Sequence, residues 1–394
     1  MQGRADLRGD AHHLPGLPEG VPDPGRHSRD ADRRGGALGP DEITAVILAG
    51  GQGTRLRPLT LGTPKPIVPL LNVPFLAYQL ALLRRHGIHD VVLSCSYLVD
   101  EVRRAMGDGA AHGVRLSYAV ETDPLGTAGG VRNAVDLVRG LVVVLNGDIL
   151  ADLDLGAMLR FHRERGARAT LYLTRVPDPT QYGLVELDSD GAIRAFVEKP
   201  APDRVTTDTV NAGVYALDRS VVTAIPTGRA VSIERETFPG LLRDRVPFFG
   251  WVSGSYWLDI GSPAKYRQGQ LDLLAGKVAT DVAPPGDARA RRFVAPGARV
   301  APDATIAAPC VIGPGSRVEP GARVGPNAVL GAGCVVGAGA RIEGAIVWDD
   351  VTVGPGAVLH DCIVASGARI GAGADLGPGA VLGAGASVPD RARL

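Results

Sequence analysis

Short apolar runs alternate with amphipathic stretches between residues 44 and about 275. Apolar runs bounded by glycine or polar residues predict buried strands, and three of them begin at Ala45, Val91 and Leu141. Apolar positions at helical spacing predict helices over residues 75–85, 99–106 and 155–165. Strands that alternate with helices predict an α/β domain with a Rossmann-like, mixed and mostly parallel sheet, covered by helices on both faces.

Two later segments, 183–187 and 192–197, flank Asp190-Gly191 and predict an antiparallel hairpin laid over the ligand crevice. In open sheets of this kind, ligands bind outside the carboxyl ends of the parallel strands. Gly50-Gly51 follows the first predicted strand and Asp148 follows the third. The sequence therefore predicts a ligand site where these two turns meet.

Beyond residue 292 the pattern changes to one aliphatic residue every six positions, typically followed by a turn of small residues. The repeating positions are Val294, Val300, Ile306, Ile312, Val318, Val324, Leu330, Val336, Ile342, Val353, Leu359, Ile370, Leu376, Leu382 and Val388. This hexad predicts a left-handed parallel β-helix. Two gaps, 342 to 353 and 359 to 370, are both one residue short of two hexads, which indicates a feature built into the coil.

These patterns divide the 394 residues into four predicted parts. Residues 1–42 are rich in Gly, Pro, Arg and Asp, so we expect a disordered N-terminal extension, or a segment ahead of the true translation start. We expect the α/β domain over 43–275, a linker over 276–292 and the β-helix over 293–390.

Composition excludes several classes of protein. The 42 basic residues balance the 42 acidic ones, which argues against nucleic acid or an anionic membrane as a partner. The four cysteines lie far apart without a CxxC pair, so we expect reduced thiols. No apolar run approaches the roughly 18 residues of a membrane span, and no signal-peptide core is present. We expect a soluble, cytoplasmic protein.

The segment from Leu48 to Pro69 carries the most informative chemistry. It contains Leu48-Ala-Gly-Gly-Gln-Gly-Thr-Arg-Leu-Arg-Pro-Leu-Thr60 and then Thr63-Pro-Lys-Pro66. Glycines directly after a strand let backbone N–H groups approach phosphates, and Arg55 and Lys65 supply the cations that a triphosphate and its departing pyrophosphate require. The spacing matches neither a GxGxxG dinucleotide loop nor a P-loop. A structural glycine turn alone does not explain both motifs.

Further motifs follow in order along the chain. They are Glu121 with Pro124-Leu-Gly-Thr-Ala-Gly129, Leu145-Asn-Gly-Asp148, Tyr182-Gly183, Glu198-Lys-Pro200, Asn211-Ala-Gly213, Ser232-Ile-Glu234 and Trp257-Leu-Asp-Ile-Gly261. With them, residues 44–274 resemble the sugar-1-phosphate nucleotidylyltransferases, and most of all the mannose-1-phosphate guanylyltransferases. The resemblance implies that a sugar 1-phosphate attacks the α-phosphorus of a nucleoside triphosphate in line, releasing pyrophosphate.

The resemblance also implies roles for individual residues. Arg55, Lys65 and Asp148 are implied as catalytic, and Asp148 and Asp259 as ligands of Mg²⁺, the implied cofactor. The implied nucleotide-binding set is Leu48, Gly50, Gly51, Gly53, Thr54, Glu121, Leu125, Gly126 and Thr127. The implied sugar-phosphate-binding set is Gly183, Glu198, Lys199 and Asn211. Taken singly, an aspartate after a strand is more often a turn former, Glu198-Lys199 would suit a surface ion pair, and Glu234 would suit a helix cap.

Glu121 bears on the choice of base. A carboxylate only accepts hydrogen bonds, and guanine presents two donors side by side, whereas thymine and uracil present one donor between acceptors. Glu121 therefore favours GTP, unless its carboxylate points elsewhere and backbone groups select the base. The resemblance implies mannose 1-phosphate as the favoured sugar substrate. The alternatives are a glucose-1-phosphate thymidylyl- or uridylyltransferase, or a regulatory, non-catalytic paralogue subunit.

Two rarer residue types add to this picture. The chain has only four lysines, Lys65, Lys199, Lys265 and Lys277, and the first two fall inside the motifs. Some β-helix domains are acyltransferases that depend on a catalytic histidine. The single histidine after residue 293 is His360, in an irregular turn. We therefore expect the coil to mediate self-association into a homo-oligomer, or to carry regulation, rather than to catalyse acyl transfer.

Overall fold

The computed structural model describes residues 42–284 and 286–394. The expectations for residues 1–41, disorder or a misplaced translation start, lie outside the described residues. Within the described ranges, no helix combines the length and apolar character needed to cross a membrane.

The N-terminal part of the described chain is an α/β domain. Its strands are β1 (Ile43–Leu48), β2 (Pro69–Leu70), β3 (Val73–Pro74), β4 (Asp90–Cys95), β5 (Arg115–Val120), β6 (Leu141–Asn146), β7 (Ile149–Ala151), β8 (Ala169–Arg175), β9 (Gly183–Leu187), β10 (Ile193–Glu198), β11 (Thr209–Leu217), β12 (Phe248–Val252) and β13 (Trp257–Asp259). Its helices are α1 (Phe75–Arg85), α2 (Val99–Met106), α3 (Gly126–Asn133), α4 (Leu155–Glu164), α5 (Arg219–Thr223), α6 (Phe238–Arg243) and α7 (Pro263–Leu274).

The predicted Rossmann-like mixed sheet is confirmed, with a parallel centre. Strands β6, β1, β4 and β5 pair in parallel in that order, and β11 joins β6 in the antiparallel sense. One apolar cluster packs α1, α2 and α4 against one face of this sheet, and a second packs α3, α5 and α6 against the other. The fully buried run Ala45–Ile47 in β1 contributes to both clusters because a parallel strand at the centre of such a sheet has no solvent face.

Strands β7 and β13 form a separate antiparallel pair that the sequence analysis did not find. Asp259 lies opposite Ile149, and the Ile260 N–H donates to the Asp148 carbonyl at 3.0 Å. Both strands are only three residues long, which is too short for a periodic pattern to be seen. This pair brings the Asp148 and Asp259 turns side by side.

The C-terminal part is the predicted β-helix, built from three parallel sheets. The first contains β14 (Arg292–Val294), β17 (Cys310–Ile312), β20 (Ala328–Leu330), β23 (Ile346–Val347), β26 (Ile363–Val364) and β29 (Val381–Leu382). The second contains β15 (Arg299–Val300), β18 (Arg317–Val318), β21 (Val335–Val336), β24 (Thr352–Val353), β27 (Arg369–Ile370) and β30 (Ser387–Val388). The third contains β16 (Thr305–Ile306), β19 (Arg323–Val324), β22 (Arg341–Glu343), β25 (Val358–His360) and β28 (Asp375–Leu376).

The two gaps in the hexad series have a structural basis. Arg299 pairs with Arg317 eighteen positions later, whereas Ile346 pairs with Ile363 only seventeen positions later. Each gap therefore contains one step of five and one of six residues, and the inward members that the hexad count missed are Val347 and Val364. The shortened corners lie at Gly344 and Asp361, both with positive φ.

The first sheet of the β-helix is apolar on both faces. Its inward residues fill the coil, and its outward residues Phe293, Val311, Val329, Ile346 and Ile363 pack in one cluster with residues of the α/β domain, including Leu56, Leu59, Tyr266 and Leu273. In the other two sheets, arginine often occupies the outward position, as in Arg299, Arg317 and Arg323, which are exposed. One face of the coil is therefore buried against the α/β domain.

Candidate active site

A cavity opens at the carboxyl ends of β1 and β6, where the sequence places the glycine turn and Asp148. Its walls are Leu48, Ala49, Gly51, Gln52, Gly53, Thr54, Arg55, Leu56, Lys65, Pro66, Thr127, Asn146, Gly147, Asp148 and Gly261. The wall thus combines a glycine-rich turn, two cationic side chains and one carboxylate. Such a surface suits a polyanionic ligand that also needs a metal ion.

The glycine turn holds its shape through two close approaches. Gly53 has a φ of 61°, and its carbonyl accepts a 2.8 Å hydrogen bond from the Thr60 hydroxyl. The Gly147 N–H donates to the Leu48 carbonyl at 2.8 Å, and a Cβ at Gly147 would overlap that carbonyl. A Cβ on Gly51 would meet no protein atom within 4 Å, so this glycine borders open space in the cavity.

Lys65 and Asp148 form an ion pair at the floor of the cavity. The Lys65 Nζ lies 2.8 Å from Asp148 Oδ2, and the two side chains are 12% and 27% exposed. The pair joins a short 3₁₀ turn, Lys65–Ile67, to the end of β6. This contact places a cation and a carboxylate within reach of one ligand.

Asp259 lies beside Gly261 and Lys265. Its Oδ2 is 3.4 Å from the Lys265 Nζ, which also donates to the Tyr182 hydroxyl at 2.7 Å. Its Oδ1 is buried and has no hydrogen-bond partner among the described residues. A Cβ on Gly261 would stand 2.7 Å from that Oδ1 and 3.2 Å from the Arg55 guanidinium, so Arg55 reaches the same corner.

The carboxylates fit a Mg²⁺ site. A buried carboxylate oxygen without a partner is costly unless a ligand satisfies it, and carboxylate oxygen is a ligand that Mg²⁺ prefers. In the described ranges, no group of three or more His, Cys, Asp or Glu side chains could hold a metal ion. Two carboxylates suit Mg²⁺ bound together with substrate phosphates and water.

Burial lowers the pKa of Lys265, but the hydrogen bond to Tyr182 and the charge of Asp259 outweigh it and raise the pKa overall. Lys265 is therefore an ammonium at neutral pH. The sequence analysis counted this lysine but gave it no role. Its retention in a chain that otherwise uses arginine almost everywhere is the signal that would have found it.

Glu121 is 8% exposed and is held from both sides. Its Oε1 accepts from the Ser94 hydroxyl at 2.9 Å, and its Oε2 accepts from the Leu125 N–H at 3.0 Å. The side chain thus fixes the turn that leads into α3, with Gly50 and Gly130 packed against it. Its role towards the base stays a prediction.

The start of α3 is tied to the segment around Val231. The Val231 carbonyl accepts from the N–H groups of Ala128 and Gly129, and its own N–H donates to the Leu125 carbonyl. A Cβ on Gly126, which has a φ of 74°, would stand 2.6 Å from the Val231 oxygen. The Thr127 hydroxyl donates to Glu234 at 2.8 Å, so Glu234 orders the wall of the cavity.

The predicted sugar-phosphate residues form a second group beside the cavity. Lys199 has a φ of 50° and its N–H donates to the Tyr182 carbonyl at 3.0 Å, which places a strained residue at the end of β10. Burial raises the pKa of Glu198, and the nearby Glu234 carboxylate adds to that rise. The Asn211 amide donates to the Tyr215 hydroxyl at 3.0 Å, and its Oδ1 accepts from the Gly213 N–H.

The structure brings some predicted residues together in the cavity wall and leaves others outside it. In the wall are Leu48, Gly51, Gly53, Thr54, Arg55, Lys65, Thr127 and Asp148. Outside it are Gly50, Glu121, Leu125, Gly126, Gly183, Glu198, Lys199, Asn211 and Asp259. Their assigned roles stay predictions, as do the domain bounds 43–275, 276–292 and 293–390.

Known proteins match both parts of the chain. The family model for nucleotidyl transferases matches residues 44–276, and the model for the LbH domain of the EIF2B epsilon subunit matches residues 289–394. Mannose-1-phosphate guanylyltransferase of Mycobacterium tuberculosis is 41% identical over 320 residues, 81% of this chain and 83% of that protein. A UTP–glucose-1-phosphate uridylyltransferase of Synechocystis sp. is 33% identical over 82% of this chain and 87% of that protein.

A solved structure also resembles part of the chain. HddC from Yersinia pseudotuberculosis is 28% identical, covers 58% of this chain and 99% of its own, and has a TM-score of 0.52. The chain therefore belongs to the nucleotidyl transferase family, as its resemblance to sugar-1-phosphate nucleotidylyltransferases predicted, and joins that domain to a C-terminal left-handed β-helix.

Proposed function

We propose that this enzyme transfers the guanylyl group of GTP to mannose 1-phosphate, giving GDP-mannose and pyrophosphate. The observation that carries the proposal is the Lys65–Asp148 pair in the cavity wall, beside the Asp259 turn, where one buried carboxylate oxygen has no hydrogen-bond partner among the described residues. The identity of 41% to a mannose-1-phosphate guanylyltransferase over most of both chains supports the choice of substrates.

The chain's own residues bind and align two anions. The backbone of the Gly50-Gly51 turn, with Arg55 and Lys65, takes the triphosphate and stabilises the pyrophosphate that leaves. The sugar-phosphate oxygen already carries negative charge, so its in-line attack on the α-phosphorus needs no general base. Catalysis is therefore positioning and charge neutralisation.

Asp148 and Asp259 are the residues that would hold Mg²⁺. The ion supplies neutralisation of the phosphate charge when it is bound. Lys65 forms an ion pair with Asp148, and Lys265 forms one with Asp259. Each carboxylate is therefore oriented by a neighbouring cation. We expect activity to disappear with EDTA and to return with Mg²⁺, and we expect Asp259→Asn to raise the Mg²⁺ requirement.

The sugar 1-phosphate would lie between the Tyr182-Gly183 turn and β10. Lys199 supplies the cation for its phosphate, and Glu198 and Asn211 supply polar groups for its hydroxyls. A Cβ on Gly183 would stand 2.6 Å from Phe196 Cζ and 3.0 Å from Glu198 Oε2, so the turn needs glycine to leave room for that ring and that carboxylate.

A substrate matrix tests the proposal. The full chain is incubated with GTP, ATP, CTP, UTP or dTTP against mannose 1-phosphate or glucose 1-phosphate, with and without Mg²⁺, and pyrophosphate is measured. We expect the highest kcat/KM for GTP with mannose 1-phosphate. A preference for UTP or dTTP with glucose 1-phosphate would favour the alternative substrates, and no release for any pair would favour a non-catalytic subunit.

Glu121→Gln tests the base assignment in the same assay. A glutamine keeps the size of the side chain but replaces one acceptor with a donor. We expect the preference for GTP over UTP to fall by about tenfold, on the order of one lost hydrogen bond to a charged group. An unchanged preference in a folded variant would show that other groups select the base.

The β-helix is also proposed to join copies of the chain into a homo-oligomer. Its second and third sheets keep exposed outward faces, whereas the first is covered by the α/β domain. Light scattering of the full chain should give a mass above 40.9 kDa. A monomer at micromolar concentration would contradict this proposal.

A further inference from the structure

Three consecutive residues in the first turn of α7 face three different parts of the molecule. Lys265 faces the active site, Tyr266 is fully buried against the β-helix, and Arg267 reaches a corner of the coil. The local cap of this helix is weak, because the Ser262 hydroxyl accepts from the Lys265 N–H at 3.4 Å. Contacts outside α7 therefore add to this weak side-chain cap in fixing the position of its first turn.

Tyr266 connects the β-helix to the segment that carries Lys65. Its hydroxyl accepts from the Trp348 indole N–H at 3.0 Å and from the Gln270 amide at 2.9 Å, and it donates to the Pro69 carbonyl. Tyr266 is completely buried and Trp348 is 4% exposed, so water does not compete for these bonds. Trp348 thus restrains the orientation of α7 through its hydrogen bond to the Tyr266 hydroxyl.

Arg267 connects the β-helix to the other side of the same turn. Its Nε donates to the Gly344 carbonyl at 3.0 Å, and its guanidinium pairs with the Asp361 carboxylate. Gly344 and Asp361 are the two shortened corners of the coil, stacked on successive turns. A Cβ on Gly344 would stand 2.8 Å from the Arg267 guanidinium, so the glycine at this corner leaves room for the Arg267 side chain.

Lys265 links this turn to the active site, because its ammonium contacts residues there. Its Nζ touches Asp259 and Tyr182, and it lies over the Tyr182 ring at 5.1 Å. Tyr182 in turn holds the backbone of Lys199. A small rotation of α7 would move this ammonium away from both contacts.

We propose that Trp348 and Asp361 of the β-helix are positioning residues for nucleotidyl transfer. They fix the first turn of α7 through Tyr266 and Arg267, and so keep Lys265 against Asp259 and Tyr182. This inference rests on the proposed role of Asp259 as a metal ligand. In this proposal the β-helix contributes to the geometry of the catalytic site.

Two substitutions test the proposal with little change of shape. Trp348→Phe keeps an aromatic filler and removes the indole donor. Asp361→Asn removes the charge but retains a residue that tolerates positive φ. The matched control is Asp350→Asn, because Asp350 has a similar φ of 57°, is exposed and lies on a coil turn with no recorded ion pair in the described residues.

The readouts are Mn²⁺ binding in the presence of GTP, followed by electron paramagnetic resonance, and the Mg²⁺ concentration for half-maximal pyrophosphate release. We expect both test variants to bind Mn²⁺ about tenfold more weakly, the usual loss when a residue that orients a metal ligand is removed. Asp350→Asn should match the unaltered protein. Thermal unfolding shows whether each variant is folded, and Arg267→Lys gives a milder break of the same contact.

A double-mutant cycle tests the route through Lys265. In a Lys265→Met background, Asp361→Asn should no longer change Mn²⁺ binding, although it should still lower the melting temperature. An equal effect of Asp361→Asn in both backgrounds would overturn the route, and unchanged Mn²⁺ binding in folded Trp348→Phe and Asp361→Asn would overturn the proposal. If the unaltered protein binds Mn²⁺ with GTP but releases no pyrophosphate, the proposed function fails and this comparison can still be made.

Discussion

At the glycines of the cavity wall, the effect of a small added side chain on ligand binding can be distinguished from its effect on stability. Glycine is required at some positions by backbone conformation and at others by what the ligand needs. Gly53 belongs to the first kind because its φ is 61°, and Gly51 belongs to the second because nothing in the protein fills the space beside it.

Gly51→Ala should therefore raise the KM for GTP by about tenfold or more while leaving the melting temperature almost unchanged. The added methyl group occupies the space in which the phosphates would lie, and it meets no protein atom. Gly62→Ala is the matched control, since a Cβ there also meets nothing within 4 Å and Gly62 does not line the cavity. Equal KM values for the two variants would contradict the phosphate assignment of the turn.

Glu198 predicts a pH dependence of stability. Burial, with a contribution from Glu234, raises the pKa of Glu198, so the folded state holds this proton more tightly than the unfolded state. Stability is therefore lost as the pH rises from the unfolded pKa, about 4.3, through the raised folded pKa.

Glu198→Gln should raise the melting temperature at pH 7.5, and this gain should shrink towards pH 4, where the carboxyl is mostly protonated in both states. The same variant should lower kcat/KM for the sugar 1-phosphate. Thermal scans across this pH range decide the matter. A gain of the same size at pH 4 and pH 7.5 would rule out titration of Glu198 as its cause.

At the scale of elements, the short pair β7–β13 and the start of α7 assemble the carboxylate corner. Neither strand is long enough to show a pattern, but their pairing aligns Asp259 with Ile149 and so brings two turns together that lie far apart in sequence. Gly261, between β13 and α7, leaves room for both the Asp259 carboxylate and the Arg55 guanidinium.

Gly261→Ala should lower kcat about a hundredfold, because its Cβ would stand 2.7 Å from Asp259 Oδ1 and displace the carboxylate or Arg55. Gly254→Ala, shortly before β13, is the control because its Cβ would meet nothing within 4 Å. Steady-state kinetics at saturating Mg²⁺ measures the difference. Wild-type kcat in Gly261→Ala would mean that this corner takes no part in the reaction.

The repeat pattern of the β-helix contains a further signal, which predicts the covered face of the coil and which the hexad count did not use. An aliphatic pair recurs about every eighteen residues, as in Val311-Ile312, Val329-Leu330 and Ile363-Val364. The second member of each pair faces the coil interior and the first faces the α/β domain. A doubled aliphatic position in every third hexad is therefore a readable signal of a covered face.

At the scale of the whole molecule, one apolar cluster joins the segment from Leu48 to Pro69, α7 and the first sheet of the coil. A fragment that ends at residue 284 would expose this face, which includes Leu56, Leu59 and Tyr266. We expect such a fragment to melt well below the full chain and to aggregate, because a contiguous exposed apolar patch promotes association. A monomeric fragment with the full melting temperature would contradict the shared core.

The sequence by itself determined the reaction class, the mixed α/β sheet and the β-helix. The reaction class follows from the family resemblance that the ordered motifs carry, and the sheet and the β-helix follow from local signals, namely alternating apolar runs and a hexad repeat. The resemblance implied that Asp148 and Asp259 act together, whereas only the tertiary structure showed that the β7–β13 pair aligns their turns, that Lys265 contacts Asp259, and that the coil contacts α7. Each of these depends on contacts between residues far apart in the chain, and no local pattern records which distant partners will meet.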